Sequence, residues 1–211
     1  MVEFHIVNLR DFGKGSYRQI DDTPFGGGSG MVLMAEPLFK AIDHAIDLVG
    51  GPDNVRVIYP SPQGKTWNQG IAEETSQQEK LIVICGHYKG IDERVIEKYV
   101  THEYSLGDFV MTGGEIPAMV MLDSTVRLIP GTLNNLDSAL TDSFSQDLLD
   151  HPHYTHPREI DGMEVPEVLL GGYHAKIEAW RQEQKEKRTQ EKKPDLWEKF
   201  EKMKESEINH A

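Results

Sequence analysis

The chain has 211 residues, a formal net charge of −13, 38% hydrophobic residues and a single cysteine. That length allows one sizeable core plus a small appendage, and a mean hydropathy of −0.50 without a long apolar run excludes a membrane-spanning helix. One cysteine excludes an internal disulfide and a multi-cysteine zinc site, and the acidic balance argues against nucleic acid held by bulk charge alone.

Met1-Val2-Glu3-Phe4-His5 carries no basic segment followed by an apolar run, so no signal peptide is expected and the expected location is the cytoplasm. Val2, Phe4, Ile6 and Leu9 alternate as a half-buried strand. A long Gly-rich loop is expected from Arg10 to Met34. Leu38, Ile42, Ala45, Ile46 and Val49 fit one helix face, stopped by Gly50-Gly51. The pattern then alternates: strand Val55–Tyr59, helix Trp67–Gln78, strand Leu81–Cys85 and helix Asp92–Val100. A strand-like segment around Ser105–Met111 and a helix Ile116–Ile129 complete it. Such alternation predicts a mostly parallel α/β sheet. Residues 132–149, rich in Asn, Asp, Ser and Thr, read as a linker. Two helices, Ala175–Gln190 and Asp195–Ile208, are expected beyond it, with Trp180, Leu196, Trp197 and Phe200 as the core of a small helical domain. The boundaries expected are therefore 1–131, 132–149 and 150–211.

Three Gly/Pro loops follow three of these strands: Pro60-Ser61-Pro62-Gln63-Gly64, Gly86-His87-Tyr88-Lys89-Gly90 and the segment leading to Gly113-Gly114. Ligands of open α/β sheets sit outside the carboxyl ends of the strands, so one pocket built from all three loops is the economical expectation. Gly64-Lys65-Thr66 imitates the tail of a phosphate-binding loop, G-x-x-x-x-G-K-S/T. The first glycine would have to stand at Tyr59, and Pro60 and Pro62 remove two of the N–H groups such a loop aims at phosphate. Nucleoside triphosphate hydrolysis is rejected, and no G-x-G-x-x-G supports a nicotinamide site.

Other residues admit two readings. Cys85 is most simply a small core hydrophobe. Asp142, in Leu140-Thr141-Asp142-Ser143-Phe144, could be a helix cap, and Arg127 could complement a helix dipole. His151, His153 and His156 invite a metal, but the prolines between them and the lack of cysteine or clustered carboxylate partners argue for none. Between Lys176 and Lys204 there are ten Lys/Arg against seven Asp/Glu, either a solvated helix face or a surface for RNA, which can be recognised by local shape.

Seven segments occur in order: YPSPQG, CGHYKGIDERV, SLGDFVMTGGEIPAM, DSTVRLIPG, TDSF, HPHYTHP and GMEVPEVLLGGYHAKIEAWR. Together they closely resemble the bacterial tRNA (guanine-N1)-methyltransferases that modify position 37, a family of the SPOUT class. The resemblance runs from about Leu9 to Ala211. It implies a SPOUT-type trefoil-knotted, mostly parallel α/β domain with a small C-terminal helical domain, an exception to unknotted chains.

The resemblance also implies S-adenosylmethionine, bound by Tyr59, Pro60, Ser61, Pro62, Gln63 and Gly64 from the first loop, and by Gly86 and Tyr88 from the second. Leu106, Gly107, Asp108, Phe109, Val110, Met111, Gly113, Gly114 and Pro117 complete that site. Asp142 would be the general base for guanine N1, and Arg127 would hold the charge gathering on O6. Asp21, Asp22, Gly26, Gly27 and Gly28 would meet the substrate. The implied partners are tRNA with guanosine at position 37 and a second copy of the chain, in a homodimer with shared sites. Neither DNA nor membrane is implied.

Two departures stand out. Relatives begin with about one more strand and helix before the equivalent of Val2, so a sheet lacking a central strand is expected. Lys89 stands where relatives often carry glutamate. A non-catalytic cofactor- or RNA-binding module is the alternative reading from another class, and a ribosomal-RNA methyltransferase the third; the C-terminal helical domain argues against the latter.

Overall fold

The computed structural model describes residues 2–132, 142–144 and 147–208. The chain divides into two compact units, Met1–Asn134 and Asn135–Ala211. The first is an α/β unit whose sheet has three parallel strands. These are β3 (Val55–Thr66) at the centre, flanked by β4 (Lys80–Val83) and β5 (His102–Ser105).

The sheet is buried on both faces because apolar residues point both ways. Val57 and Tyr59 of β3 and Ile82 of β4 pack with Leu38 and Ile42 of helix α1 (Ala35–Leu48) and Val95 of α3 (Glu93–Tyr99). Ile58, one residue out of phase, packs on the opposite face with Ile71 of α2 (Gln69–Ser76), Met121 of α4 (Glu115–Val126) and Tyr104 of β5. A strand covered on both sides loses the polar half of its alternation. Asn68 starts α2 by accepting the Ile71 N–H at 3.0 Å, and Asp92 starts α3 by accepting the Arg94 N–H at 3.0 Å.

One buried cation belongs to this sheet. Arg56 is 8% exposed, and its guanidinium donates to Thr75 Oγ1 at 3.1 Å and to Glu74 Oε1 at 2.6 Å. Arg56→Met keeps most of the volume but removes both bonds. We expect a stability loss of about 1–2 kcal/mol, read as a lower denaturant midpoint at unchanged slope. His102, whose pKa is lowered by burial and then by Arg56, should titrate higher in that variant. An unshifted midpoint would show that the bonds of this buried arginine contribute nothing.

The structure corrects several expectations. Residues 2–8 form no strand, and Val2, Phe4 and Ile6 are exposed, the last 97%; alternation gives a strand one apolar face but supplies no neighbour to bond. The expected loop 10–34 contains a two-stranded antiparallel ribbon, β1 (Asp21–Asp22) with β2 (Val32–Leu33), after a 3-10 turn at Leu9–Phe12. Pro60–Gly64 lies within β3 as a bulge, since the pairing with β5 jumps from Pro60 to Lys65 against the same Tyr104. The third sheet strand is His102–Ser105, and residues 106–113 after it are loop, with Val110 85% exposed.

The second unit holds a short hairpin, β6 (Glu159–Ile160) and β7 (Met163–Glu164), and two packed helices, α5 (His174–Lys192) and α6 (Pro194–Ile208). The hairpin turn is Asp161-Gly162, both at positive φ (52° and 76°), a pair that suits a tight primed turn. Trp180, Leu196, Trp197 and Phe200 are half-buried. Buried Thr189 ties α5 to the preceding segment, accepting the Leu149 N–H at 2.8 Å while donating to Lys185 O at 2.7 Å. Of the expected linker, residues 133–141 and 145–146 lie outside the described residues. Among the described residues, no helix is long and apolar enough to cross a membrane.

Candidate active site

All three loops meet at one cavity of the first unit. The end of β3 contributes Tyr59, Pro60, Ser61 and Pro62, and the loop after β4 contributes Gly86, Tyr88 and their neighbours. The loop after β5 contributes Leu106, Gly107, Phe109, Val110, Met111, Gly113 and Gly114, with Pro117 from the first turn of α4. Three expected residues, Gln63, Gly64 and Asp108, do not line it. Gln63 and Gly64 belong to the bulge, where Gly64 serves packing: a Cβ there would collide with the Glu103–Tyr104 backbone. His87, Lys89, Gly90, Tyr104, Ser105 and Thr112 line the cavity as well, and each sits inside or next to a loop already singled out.

Two backbone approaches shape this cavity. The Gly114 N–H donates to Gly86 O at 2.8 Å, while a Cβ on Gly114 would lie 2.7 Å from Gly86 N and 2.8 Å from Cys85 Cα. Gly86 in turn leaves room for the Tyr59 ring, whose Cε2 would stand 2.9 Å from an added Cβ. Bare backbone amides and carbonyls therefore form one wall. Ser105 Oγ donates to Gly107 O at 3.0 Å and accepts the Gly107 N–H at 3.1 Å, fixing Gly107 at φ 146°. Tyr88 and Phe109, each more than half exposed, stand at the opening.

The electrostatics suit binding rather than covalent catalysis. Burial, then Glu103, pushes the Tyr59 phenol above its ordinary range. Burial, then Glu115, pushes the Cys85 thiol up to about 11, so it stays a neutral thiol at pH 7. Ser61 Oγ accepts the Gln63 N–H at 3.2 Å, and Ser105 is held as described. His87 Nε2 lies 3.3 Å from Glu115 Oε1, both half-exposed. The cavity thus offers backbone hydrogen-bonding groups and apolar walls, with Lys89 in its lining and the Glu115 carboxylate next to lining residue His87.

Further candidates lie elsewhere. Arg127 is the half-buried residue closing the C-terminal end of α4 in the first unit. Asp142 is a half-buried bend residue of the second unit. Phe144, two residues on, is at φ 76°, which no helix accommodates, so Asp142 does not cap a helix beginning at Ser143. Asp21 and Asp22 form β1, and Gly26, Gly27 and Gly28 make an exposed positive-φ loop; none of them lines the cavity. The end of that loop does reach it: an added Cβ on Gly30 would stand 2.9 Å from Lys89 Cγ, and the Lys89 N–H donates to Met31 O at 3.0 Å.

Residues 1–199 match the family described as tRNA (Guanine-1)-methyltransferase TrmD. The chain belongs to this family. Among its relatives is a tRNA (guanine-N(1)-)-methyltransferase of Brevibacillus brevis, 52% identical over 200 residues, which cover 95% of this chain and 81% of the relative. The namesake of Clostridioides difficile is 48% identical over 94% of this chain and 86% of its own length. That of Moorella thermoacetica is 51% identical over 92% and 78%.

Proposed function

We propose that this chain transfers a methyl group from S-adenosylmethionine to N1 of the guanosine at position 37 of tRNA, in the cytoplasm. The observation that carries the reading is the convergence of the three motif-bearing loops on one cavity with a bare-backbone wall, in a chain of this family. The first unit is read as a SPOUT-type trefoil knot. The close backbone passages of Gly64 against β5 and of Gly114 against Gly86 support that reading.

The cavity fits such a cofactor. Where Gly86 and Gly114 keep side chains out, peptide groups can hydrogen-bond an adenine edge, while Leu106 and Phe109 offer apolar contact. Gly113 and Pro117 keep the start of α4 against the same wall, and Glu115 can receive an ammonium group. When bound, S-adenosylmethionine supplies a methyl group on a sulfonium, an electrophile that is already activated.

The chain's own side chains then have two tasks. Guanine N1 carries a proton and is a poor nucleophile until it is lost. Asp142 takes that proton as general base, a role worth typically about 10²–10⁴-fold. Arg127 holds the negative charge that gathers on O6, a preorganised electrostatic role of comparable size. Asp21, Asp22 and the Gly26–Gly28 loop, with the mixed-charge helices α5 and α6, are read as tRNA contacts. Two copies of the chain form a homodimer in which the pocket of one subunit works with Asp142 of the other.

The test is transfer of labelled methyl to tRNA transcripts that differ only at position 37. A transcript with guanosine there should be labelled, and one with adenosine should not. Equal labelling of both would move the target to another nucleotide, and labelling of neither would leave a binding module.

A further inference from the structure

Outside the cavity, the second unit gathers Asp150, His151 and His153 so that one ligand atom from each lies within 4.8 Å of the others. The prolines of the HPHYTHP segment do not keep these groups apart, and Asp150 is the carboxylate partner that the histidine pattern alone does not reveal. His156 lies outside the group.

The protonation pattern is constrained. His151 Nδ1 stands 3.1 Å from the carbonyl oxygen of Pro152. A carbonyl only accepts, so Nδ1 carries the hydrogen, and Nε2 of the neutral ring is left with a lone pair. That lone pair and Asp150 Oδ1 are 3.8 Å apart, with side chains 13% and 20% exposed. With the ring neutral they are two acceptors near one another, and Asp150 Oδ1 also accepts the His151 backbone N–H at 2.7 Å. On the other side, His153 Nε2 is 2.8 Å from Asp150 Oδ2. A ring N–H held by a backbone carbonyl is the outer support that metal-ligating histidines commonly have. Bonds of about 2.0–2.2 Å to a shared ion would set neighbouring donors roughly 3–3.5 Å apart, within the range these groups span.

We propose that Asp150, His151 and His153 bind a divalent cation of borderline softness, Zn²⁺ or its analogues Co²⁺ and Ni²⁺, for which a two-imidazole, one-carboxylate set is suited. His151 and His153 bond through Nε2. A neutral His153 ring moves its hydrogen from Nε2 to Nδ1 with no net release, whereas an imidazolium keeps its Nδ1 hydrogen and loses the Nε2 proton to solvent. His153 is 69% exposed, so water completes the coordination. Lys185 Nζ, 3.9 Å from Asp150 Oδ1, opposes the bound charge and sets the affinity lower than it would otherwise be.

The ion would act as a staple. The Asp150 N–H donates to Ser143 Oγ at 2.9 Å, and Leu149 is tied to Thr189 of α5. Fixing Asp150 to two histidines stiffens the segment that begins beside Asp142. The site does not depend on what Asp142 does, and its test reads binding rather than methyl transfer.

The full chain, stripped of metal, is titrated with Zn²⁺ by calorimetry and with Co²⁺ by visible absorption. Wild type should bind one Zn²⁺ at this site and raise its melting temperature on doing so. His151→Ala and His153→Ala should each weaken binding by about tenfold or more. His156→Ala should leave it unchanged, and Lys185→Gln should tighten it. Circular dichroism checks the fold of His151→Ala; the exposed His153→Ala decides the matter if that variant misfolds. No Zn²⁺ binding by wild type, or wild-type affinity in His153→Ala, would overturn the site.

Discussion

Asp142→Asn should slow methyl transfer by about 10²–10⁴-fold while leaving affinity for S-adenosylmethionine unchanged. The amide keeps the size and shape of the carboxylate but accepts no proton at neutral pH. Asp142 is not among the residues that line the loop-built cavity of the first unit. Single-turnover kinetics beside calorimetry separates the two effects. A variant with near-normal turnover removes Asp142 from the mechanism. One that loses cofactor binding instead makes it part of the cofactor site.

The reverse pattern is expected at Gly114. Its backbone, at φ −82° and ψ −7°, suits any residue, so a substitution there is a test of space alone. At Gly113 an added Cβ meets the side chains of Glu115 and His87, which can move aside. At Gly114 it meets the backbone of Cys85 and Gly86, which cannot move without opening the 2.8 Å bond from the Gly114 N–H to Gly86 O. Gly114→Val should therefore displace one loop from the other. An overpacking cost near 3 kcal/mol corresponds to roughly a 100-fold loss of cofactor affinity if it falls on the binding-competent arrangement. Full affinity in a folded Gly114→Val would place the cofactor elsewhere.

What the sequence makes legible, and what it hides, follows from how far each signal reaches along the chain. Helix α1 is visible because its apolar face repeats over several turns, and α2 and α3 stand where the strand–helix alternation puts them, begun by the Asn68 and Asp92 caps that the structure shows. The apolar run Leu81–Cys85 reads as a strand; the strand is Lys80–Val83, with Ile82 packed on one face and Leu81 and Val83 on the other, and Ile84 and Cys85 lie just beyond its end. Where pairing decides, local signals mislead: Val2, Phe4 and Ile6 alternate but have no bonded neighbour among the described residues, and Val110 and Met111 look strand-like yet lie in a loop. The bulge of β3 is invisible because it depends on the register with β5. At the cavity, Gly and Pro mark the loops, but the separate reasons for Gly64 and Gly114 emerge only from which backbone passes behind each. The His151 and His153 pattern is plain in sequence, whereas its carboxylate, Asp150, is legible only once the segment is folded.

The central claim is that a loop-built pocket and Asp142 complete one another across two subunits. Mixing Gly114→Val with Asp142→Asn, each inactive alone and each confirmed to dimerise, tests it directly. Random exchange makes about half the dimers mixed, and each mixed dimer then has one intact site of two, so activity should return to roughly a quarter of wild type. If pocket and base belong to the same chain, every site stays broken, and no recovery after verified subunit exchange would contradict the account.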